Sequence, residues 1–496
     1  MKTSIQELMD RSGVAFGTSG ARGLATAMTD FVCYAYTRGF LQYLQSMNDL
    51  PASGAAVAVA GDFRPSTDRI MEAVCRAVED AGYTPVHCGK IPSPAVALHG
   101  LELRIPAIMV TGSHIPDDRN GIKFNKCAGE ILKDDESGIR RQVVELPDGL
   151  FDACGAFVRA AAPRPASTAA RNAYVARYLE GFPSNCLDGL RVGVYQHSAV
   201  GRDLLVEILQ GLGAQVTTLG RSSTFIPVDT EAIRPEDVTL ARQWAAEYKF
   251  DAIVSTDGDS DRPLISDERG EWLRGDVAGI LCACFLGADS ISTPVSCNTA
   301  VEKCHFFREV RRTRIGSPFV VASMIEASSK HGHCVVGYEA NGGFLINSEL
   351  SLGGAKTLRA LPTRDAVILI LGILMLSKRE DKTISQLAAS LPPRFTASDR
   401  LKDFAVERSQ AILRRFTTGA DATDRQAIES VFGSMLGTVK SIDRTDGIRI
   451  TFANEEIVHL RPSGNAPEFR CYTEAVSQSR VTELNARCMD ILRKLT

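Results

Sequence analysis

A chain of 496 residues divides into about three or four domains at roughly 100–200 residues each, which excludes a short peptide, a coiled coil and a lone binding module. Hydrophobic residues make up 44% and charged residues 23%, with 41 Gly and 21 Pro, so most of the chain is expected to fold as ordinary globular structure. The 56 Lys+Arg against 59 Asp+Glu leave a formal net charge of −3. No global field therefore draws a polyanion, nucleic acid is not an expected partner, and any anion must be bound locally.

In chain order, Met1 to Asp10 is polar and acidic and reads as no targeting segment. Strand Ala55–Ala60, helix Ser66–Ala81, Gly82 and strand Thr84–His87 then make a βαβ pattern. Arg191–Tyr195, Gly201–Gly211, Gly213 and Gln215–Leu219 repeat it. Phe319–His331 into Cys334–Tyr338 is a looser third copy. The tail differs: Leu436–Asp443, Gly447–Phe452 and Glu456–Leu460 read as strands, and Val481–Leu495 has helical periodicity. The aliphatic run Ala366–Leu376 is too short to span a bilayer, so no membrane contact is expected. Thirteen cysteines, among them Cys75, Cys282, Cys284 and Cys334 in apolar runs, form no C-x-x-C pair and read as buried thiols of a reducing compartment, the cytoplasm.

Three α/β domains followed by a smaller α+β domain are therefore predicted, over 1–165, 166–272, 273–390 and 391–496. The linkers expected between them are Ala161–Thr168, Gly270–Gly275 and Leu391–Phe395.

Four loops carry candidate chemistry. Thr111-Gly112-Ser113-His114-Ile115-Pro116 follows the apolar strand Ala107–Val110, and the C-terminal end of a parallel strand is where α/β sheets bind ligands. Taken alone it also reads as a plain turn. His114 is not expected to serve Ser113 as a base, because neighbours on an extended strand face opposite ways; with no G-x-S-x-G elbow, a hydrolase triad is not predicted. Asp257, Asp259 and Asp261 alternate after strand Ala252–Val254, and three carboxylates that converge need a cation. An EF-hand is disfavoured by Arg262 where its glycine belongs; Mg²⁺ completed by phosphate oxygen suits the set, with a solvated acidic turn as the alternative. Gly337 to Phe344 holds Glu339 and Asn341, which suit paired sugar hydroxyls or a tight turn. Arg461 to Arg470 offers two guanidiniums, Ser463 and Asn465, the makings of a phosphate cradle or of a surface turn.

In this order, and with Phe16-Gly17-Thr18-Ser19-Gly20-Ala21-Arg22-Gly23 and Asn120-Gly121-Ile122-Lys123-Phe124, the loops resemble the α-D-phosphohexomutase superfamily, which includes phosphomannomutases, phosphoglucomutases and phosphoglucosamine mutases. The resemblance implies four domains around a central cleft, three of them α/β with mixed sheets. It implies that Ser113 carries the transferable phosphoryl group and that Ser113, Asp257, Asp259 and Asp261 surround one Mg²⁺. Arg22, Lys123 and Arg262 match basic positions around the phosphoserine, Lys123 as proton carrier. Glu339 and Asn341 match the sugar loop, and Arg461, Ser463, Asn465 and Arg470 match the phosphate cradle.

The reaction so implied interconverts hexose 1-phosphate and hexose 6-phosphate through a hexose 1,6-bisphosphate that turns around in the cleft. Phosphomannomutase is the first expectation; phosphoglucomutase, a dual-specificity enzyme and a non-catalytic sugar-phosphate-binding paralogue are the alternatives. The expected partners are hexose phosphates, and the expected assembly is a monomer or homodimer. Two departures stand out: Asn341 replaces the usual serine of the sugar loop, and Ser317 stands where many relatives carry a proton-shuttling side chain.

Overall fold

The computed structural model describes residues 1–17, 20–50, 54–159, 164–330, 333–463 and 467–495. The first α/β unit contains β1 (Ala15–Phe16), β2 (Ala21–Leu24), α1 (Asp30–Ser46), β3 (Ala56–Gly61), α2 (Thr67–Asp80), β4 (Thr84–Lys90), α3 (Ser93–Leu103), β5 (Ala107–Val110), β6 (Arg119–Lys126) and β7 (Gly129–Glu130). Its sheet runs β1-β2-β6-β5-β3-β4, with β7 on β6. Strands β3, β4 and β5 are parallel, and β6 returns antiparallel to β5. After α2 the chain turns at Gly82, whose φ of 84° is the left-handed geometry that glycine adopts without strain.

The second unit has α4 (Ala169–Gly181), β8 (Arg191–His197), α5 (Arg202–Gly211), β9 (Gln215–Arg221), α6 (Pro235–Tyr248), β10 (Ala252–Thr256) and β11 (Pro263–Ile265), in sheet order β9-β8-β10-β11. The third has α7 (Gly275–Phe285), β12 (Ser290–Pro294), β13 (Glu309–Thr313), α8 (Ser317–Ser329), β14 (Val335–Tyr338), β15 (Phe344–Ile346) and α9 (Ala366–Glu380), in order β13-β12-β14-β15. Both repeat the β4-β3-β5-β6 pattern: three parallel strands, then one antiparallel strand at the far side. One loop in each unit, between its third parallel strand and the returning strand, therefore opens at the same end of the sheet. These three loops carry Ser113, Asp257–Asp261 and Glu339–Asn341.

The fourth unit is a five-stranded antiparallel sheet in order β16-β20-β19-β18-β17, formed by β16 (Phe395–Leu401), β17 (Val439–Asp443), β18 (Ile448–Phe452), β19 (Ile457–Pro462) and β20 (Phe469–Ala475), with α10 (Asp421–Leu436) and α11 (Gln478–Leu495). It keeps its own apolar core, including Phe432, Ile450, Phe469 and Leu484. Another core joins side chains of the first three units and wraps α9, whose residues Ile368 to Leu371 are all buried. The aliphatic run is thus an internal helix, and among the described residues no helix is long and apolar enough to cross a membrane.

Several expectations need correction. Leu436 ends a helix rather than starting a strand, and Phe395 belongs to β16 rather than to a linker. Gly275 already opens α7. Not every cysteine is buried: Cys284 and Cys334 are half-buried and Cys154 is exposed. Part of the linker expected at Ala161–Thr168, and the His331 end of the third predicted helix, lie outside the described residues.

Candidate active site

Ser113 leaves β5 with φ 59°, and this left-handed turn directs its hydroxyl across to the second unit, where Oγ donates to Asp257 Oδ2 at 2.6 Å. The turn is held from below. Buried Arg64 donates to Ser113 O at 2.9 Å and to Ile115 O, and pairs with Asp62 at 2.5 Å. Asp62 also accepts from Thr111 Oγ1 and Thr67 Oγ1, both at 2.7 Å. Gly112 leaves room for this packing, since a Cβ there would lie 2.8 Å from the Arg64 guanidinium carbon. Gly258 allows the facing approach, since its Cβ would meet Ser113 O at 2.7 Å.

The left-handed turn also brings His114 Nδ1 to 3.5 Å from Ser113 Oγ, so the two side chains do not diverge as an extended strand would require. Arg262 Nη1 lies 2.9 Å from the same His114 nitrogen. A guanidinium only donates, so that nitrogen is an acceptor already in use. Burial, and then the Arg262 charge, keep the imidazole neutral far below its ordinary range. His114 thus holds Arg262 rather than acting as a base.

The carboxylates of Asp257, Asp259 and Asp261 are buried, and one oxygen from each falls within 4.8 Å of the others. Lys123 Nζ donates to Asp259 Oδ2 and Asp261 Oδ2, each at 2.6 Å, and Ser93 Oγ donates to Asp259 Oδ2 at 2.5 Å. Asp259 Oδ1 and Asp261 Oδ1 have no hydrogen-bond partner. Burial and the charges of Asp259 and Asp261 push the Asp257 carboxyl well above the usual range. Burial opposes ionisation of Asp259 and Asp261 too, but Lys123 and Arg364 respectively hold them low. A buried all-oxygen cluster with two orphaned acceptors fits a hard divalent cation.

Arg22, on β2 beside Gly121 of β6, lines a cleft together with His114 and Arg262. Its guanidinium is pulled down to about 10 by burial and by the Arg262 charge. In the third unit, Glu339 sits in a turn closed by Gly342 N–H to Glu339 O at 2.9 Å, and Asn341 Oδ1 accepts from Gly343 N–H at 2.9 Å. Arg364, missed by the sequence reading, joins this turn to the carboxylates: Nη1 reaches Glu339 Oε2 at 3.2 Å and Nε reaches Asp261 Oδ2 at 3.1 Å. Its one signal was an arginine two residues before the apolar run Ala366–Leu376. Ser317 is buried and donates to Glu130 Oε2 at 3.2 Å.

In the fourth unit Arg461 and Arg470 stand directly opposite each other on β19 and β20. Ser463 N–H donates to Glu468 O at 2.8 Å, and Asp446 lies 3.4 Å from Arg461 Nε. Asn465 lies outside the described residues. Arg22, Arg262, Glu339, Asn341, Arg364, Arg461, Ser463 and Arg470 face one cleft of about 490 Å³, also lined by Lys133, Arg314 and Glu231, which sequence reasoning passed over.

Comparison with known proteins agrees with this architecture. Family models of phosphoglucomutase/phosphomannomutase match in succession: α/β/α domain I over residues 13–147, domain II over 172–270, domain III over 274–395 and the C-terminal domain over 407–491. A phosphomannomutase of Salmonella muenchen is 44% identical, covering 95% of this chain and 94% of its own. A phosphomannomutase of Sinorhizobium fredii is 42% identical, covering 97% and 99%. The crystal structure of a phosphoglucomutase/phosphomannomutase family protein from Burkholderia thailandensis superposes with a TM-score of 0.72 at 19% identity, covering 98% of this chain and 97% of that one. With four domain models matched in order and two relatives above 40% identity along nearly its whole length, the chain belongs to the phosphoglucomutase/phosphomannomutase family.

Proposed function

We infer that this mutase, an intramolecular phosphotransferase, interconverts mannose 1-phosphate and mannose 6-phosphate in the cytoplasm, through phospho-Ser113 and a hexose 1,6-bisphosphate. The observation that carries this reading is the 2.6 Å contact of Ser113 Oγ with Asp257, buried behind a cleft that their loop neighbours His114 and Arg262 line together with the Arg461–Arg470 pair. A nucleophile alone would serve a phosphatase; a second, fixed phosphate grip suits a substrate that keeps one phosphate while giving or taking another. The names of the two relatives above 40% identity favour mannose. We further propose that the four domains end near residues 165, 272 and 390, since each described sheet falls within one of these stretches.

Asp257, Asp259 and Asp261 would hold Mg²⁺, which supplies positive charge next to the phosphoryl oxygens and makes phosphorus more electrophilic. The sugar hydroxyl oxygen bonds to phosphorus as the P–Oγ bond of Ser113 breaks. The hydroxyl proton ends on Ser113 Oγ, with Lys123 as the relay, and the new serine O–H rests on Asp257. Arg22 and Arg262 steady the charge on the equatorial oxygens. Arg461, Arg470, Ser463 and Asn465 grip the phosphate that is not being transferred, in the planar fork that arginine offers. Glu339 and Asn341 take sugar hydroxyls.

The test is a coupled assay of the purified protein with Mg²⁺ and a trace of hexose 1,6-bisphosphate, on mannose 1-phosphate, glucose 1-phosphate and glucosamine 1-phosphate in parallel. Conversion to the 6-phosphate, fastest for mannose, is expected. No conversion with Ser113 verified as phosphorylated would overturn the reading, and a faster glucose reaction would make the enzyme a phosphoglucomutase.

A further inference from the structure

Glu231 lies on the loop between β9 and α6, in a segment that carried no chemistry in the sequence reading. The loop is fastened to the sugar loop of the neighbouring unit: Thr230 Oγ1 donates to Asn341 O at 2.6 Å, a buried contact. Glu231 N–H donates to Asp229 Oδ1 at 2.9 Å, which fixes the turn that carries it. Its side chain lines the cleft together with Arg262, Glu339, Asn341 and Arg470.

Three acids line that cleft among the described residues. Asp446 accepts Ile315 N–H at 3.0 Å and faces Arg461. Glu339 is paired with Arg364. Among the described residues no hydrogen bond or contact ion pair engages the Glu231 carboxylate, which is half-buried at the cleft in the field of Arg274, Arg262 and Arg470, and desolvation there pushes its carboxyl up.

An ionised carboxylate only accepts hydrogen bonds, and it repels a phosphate dianion. Its open acceptor positions face the cleft, and a sugar phosphate bound there brings donors on its ring hydroxyls. We propose that Glu231 binds hydroxyl groups of the hexose from the second unit's side, so that Glu231, Glu339 and Asn341 read the sugar together. The proposal rests on the mutase reading and adds the residue by which the second unit selects the hexose.

The test uses the full-length, dephosphorylated enzyme with Mg²⁺, which binds without turning over. Mannose 6-phosphate and inorganic phosphate are titrated calorimetrically into wild type, Glu231→Gln and Glu231→Ala. Hydrogen bonds to a charged group lead us to expect about tenfold or greater weakening for mannose 6-phosphate in both variants, with inorganic phosphate unchanged or tighter. Equal tightening of both ligands would mean that Glu231 faces phosphate, and no change in either would mean that it faces neither; each overturns the proposal. Turnover of mannose 1-phosphate by phosphorylated wild type is run alongside. If wild type turns over while the variants bind normally, the Glu231 assignment alone fails; if wild type is inert, the mutase reading fails and takes this one with it.

Discussion

Ser113 reaches its partner through one backbone angle. A left-handed φ costs a residue with a Cβ roughly 1–2 kcal/mol, and Arg64 offsets that cost by holding the carbonyls on both sides of the turn. In the proposed mechanism the Ser113 hydroxyl takes the phosphoryl group, so Ser113→Ala should lower turnover below detection while mannose 6-phosphate binding stays within about threefold of wild type, because the proposed grips on sugar and phosphate lie on other loops. Initial rates paired with titration calorimetry check this; turnover near the wild-type rate would remove Ser113 from the reaction. The alternation of three carboxylates made the aspartates legible as a candidate cation site in the sequence, whereas Ser113, whose loop alone also reads as a plain turn, stood out only through the resemblance to a known family. The orientation of His114 was not legible, because the rule of opposite faces holds only for extended backbone. Arg364 and Glu231 were illegible for another reason: each gains its meaning from a partner loop far away in sequence, Asp261 and Glu339 for Arg364, and Asn341 for the loop of Glu231.

At the scale of elements, β19 carries both Arg461 and a buried histidine. His459 Nε2 lies 2.6 Å from Asp446 O, and burial pulls its pKa from 6.5 to about 4. On β8, His197 Nε2 lies 2.8 Å from Thr256 O, beside the aspartate loop, and its pKa is likewise lowered to about 4. As pH falls from 6.5, the unfolded chain takes up a proton on each ring before the folded chain does, so folding weakens down to about pH 4 and this contribution is constant below it. Each ring accounts for about 3 kcal/mol over that window. His459→Gln keeps a donor for Asp446 O and removes the titration. Denaturant unfolding at pH 7 and pH 4.5 should show the variant losing about 2–3 kcal/mol less than wild type between the two; equal losses would refute the assignment. The βαβ pairs β3-α2-β4 and β8-α5-β9 were readable because long apolar strands and amphipathic helices keep their periods. The returning strands β11 and β15 are three residues each, too short for any period to register, and so the shared loop position of the three α/β units emerged only from the sheets.

At the scale of the molecule, the first three units act on one another through buried contacts. Lys123 of the first binds Asp259 and Asp261 of the second, Thr230 of the second binds Asn341 of the third, and Glu130 of the first accepts from Thr363 and Ser317 of the third. An apolar core also runs through all three. The fourth unit has a separate core and meets the third through polar groups: Glu474 of β20 accepts from Thr299 N–H and Oγ1, and Lys303 pairs with Glu455 at 2.7 Å, while Arg394 Nε, within the fourth unit, donates to the same Glu474 at 2.5 Å. The proposed grip, which would accept either end of a bisphosphate, thus sits on the unit that is least tied to the rest. The Arg394–Glu474 pair is nearly fully buried, with 3% and 4% of the side chains exposed, so Glu474→Gln leaves a buried guanidinium without its counter-charge. Breaking a buried pair in this way costs about 3–5 kcal/mol. In calorimetry of the variant, the cost should appear as early melting of the fourth unit alone, resolved from the first three. In kinetics it should appear as a KM for mannose 1-phosphate raised about tenfold with kcat changed less, since the proposed role of Arg461 and Arg470 is to grip the substrate rather than to transfer the phosphoryl group. A single unchanged melting transition with an unchanged KM would mean that Glu474 does not hold the fourth unit in place, and that the cleft is closed by other contacts.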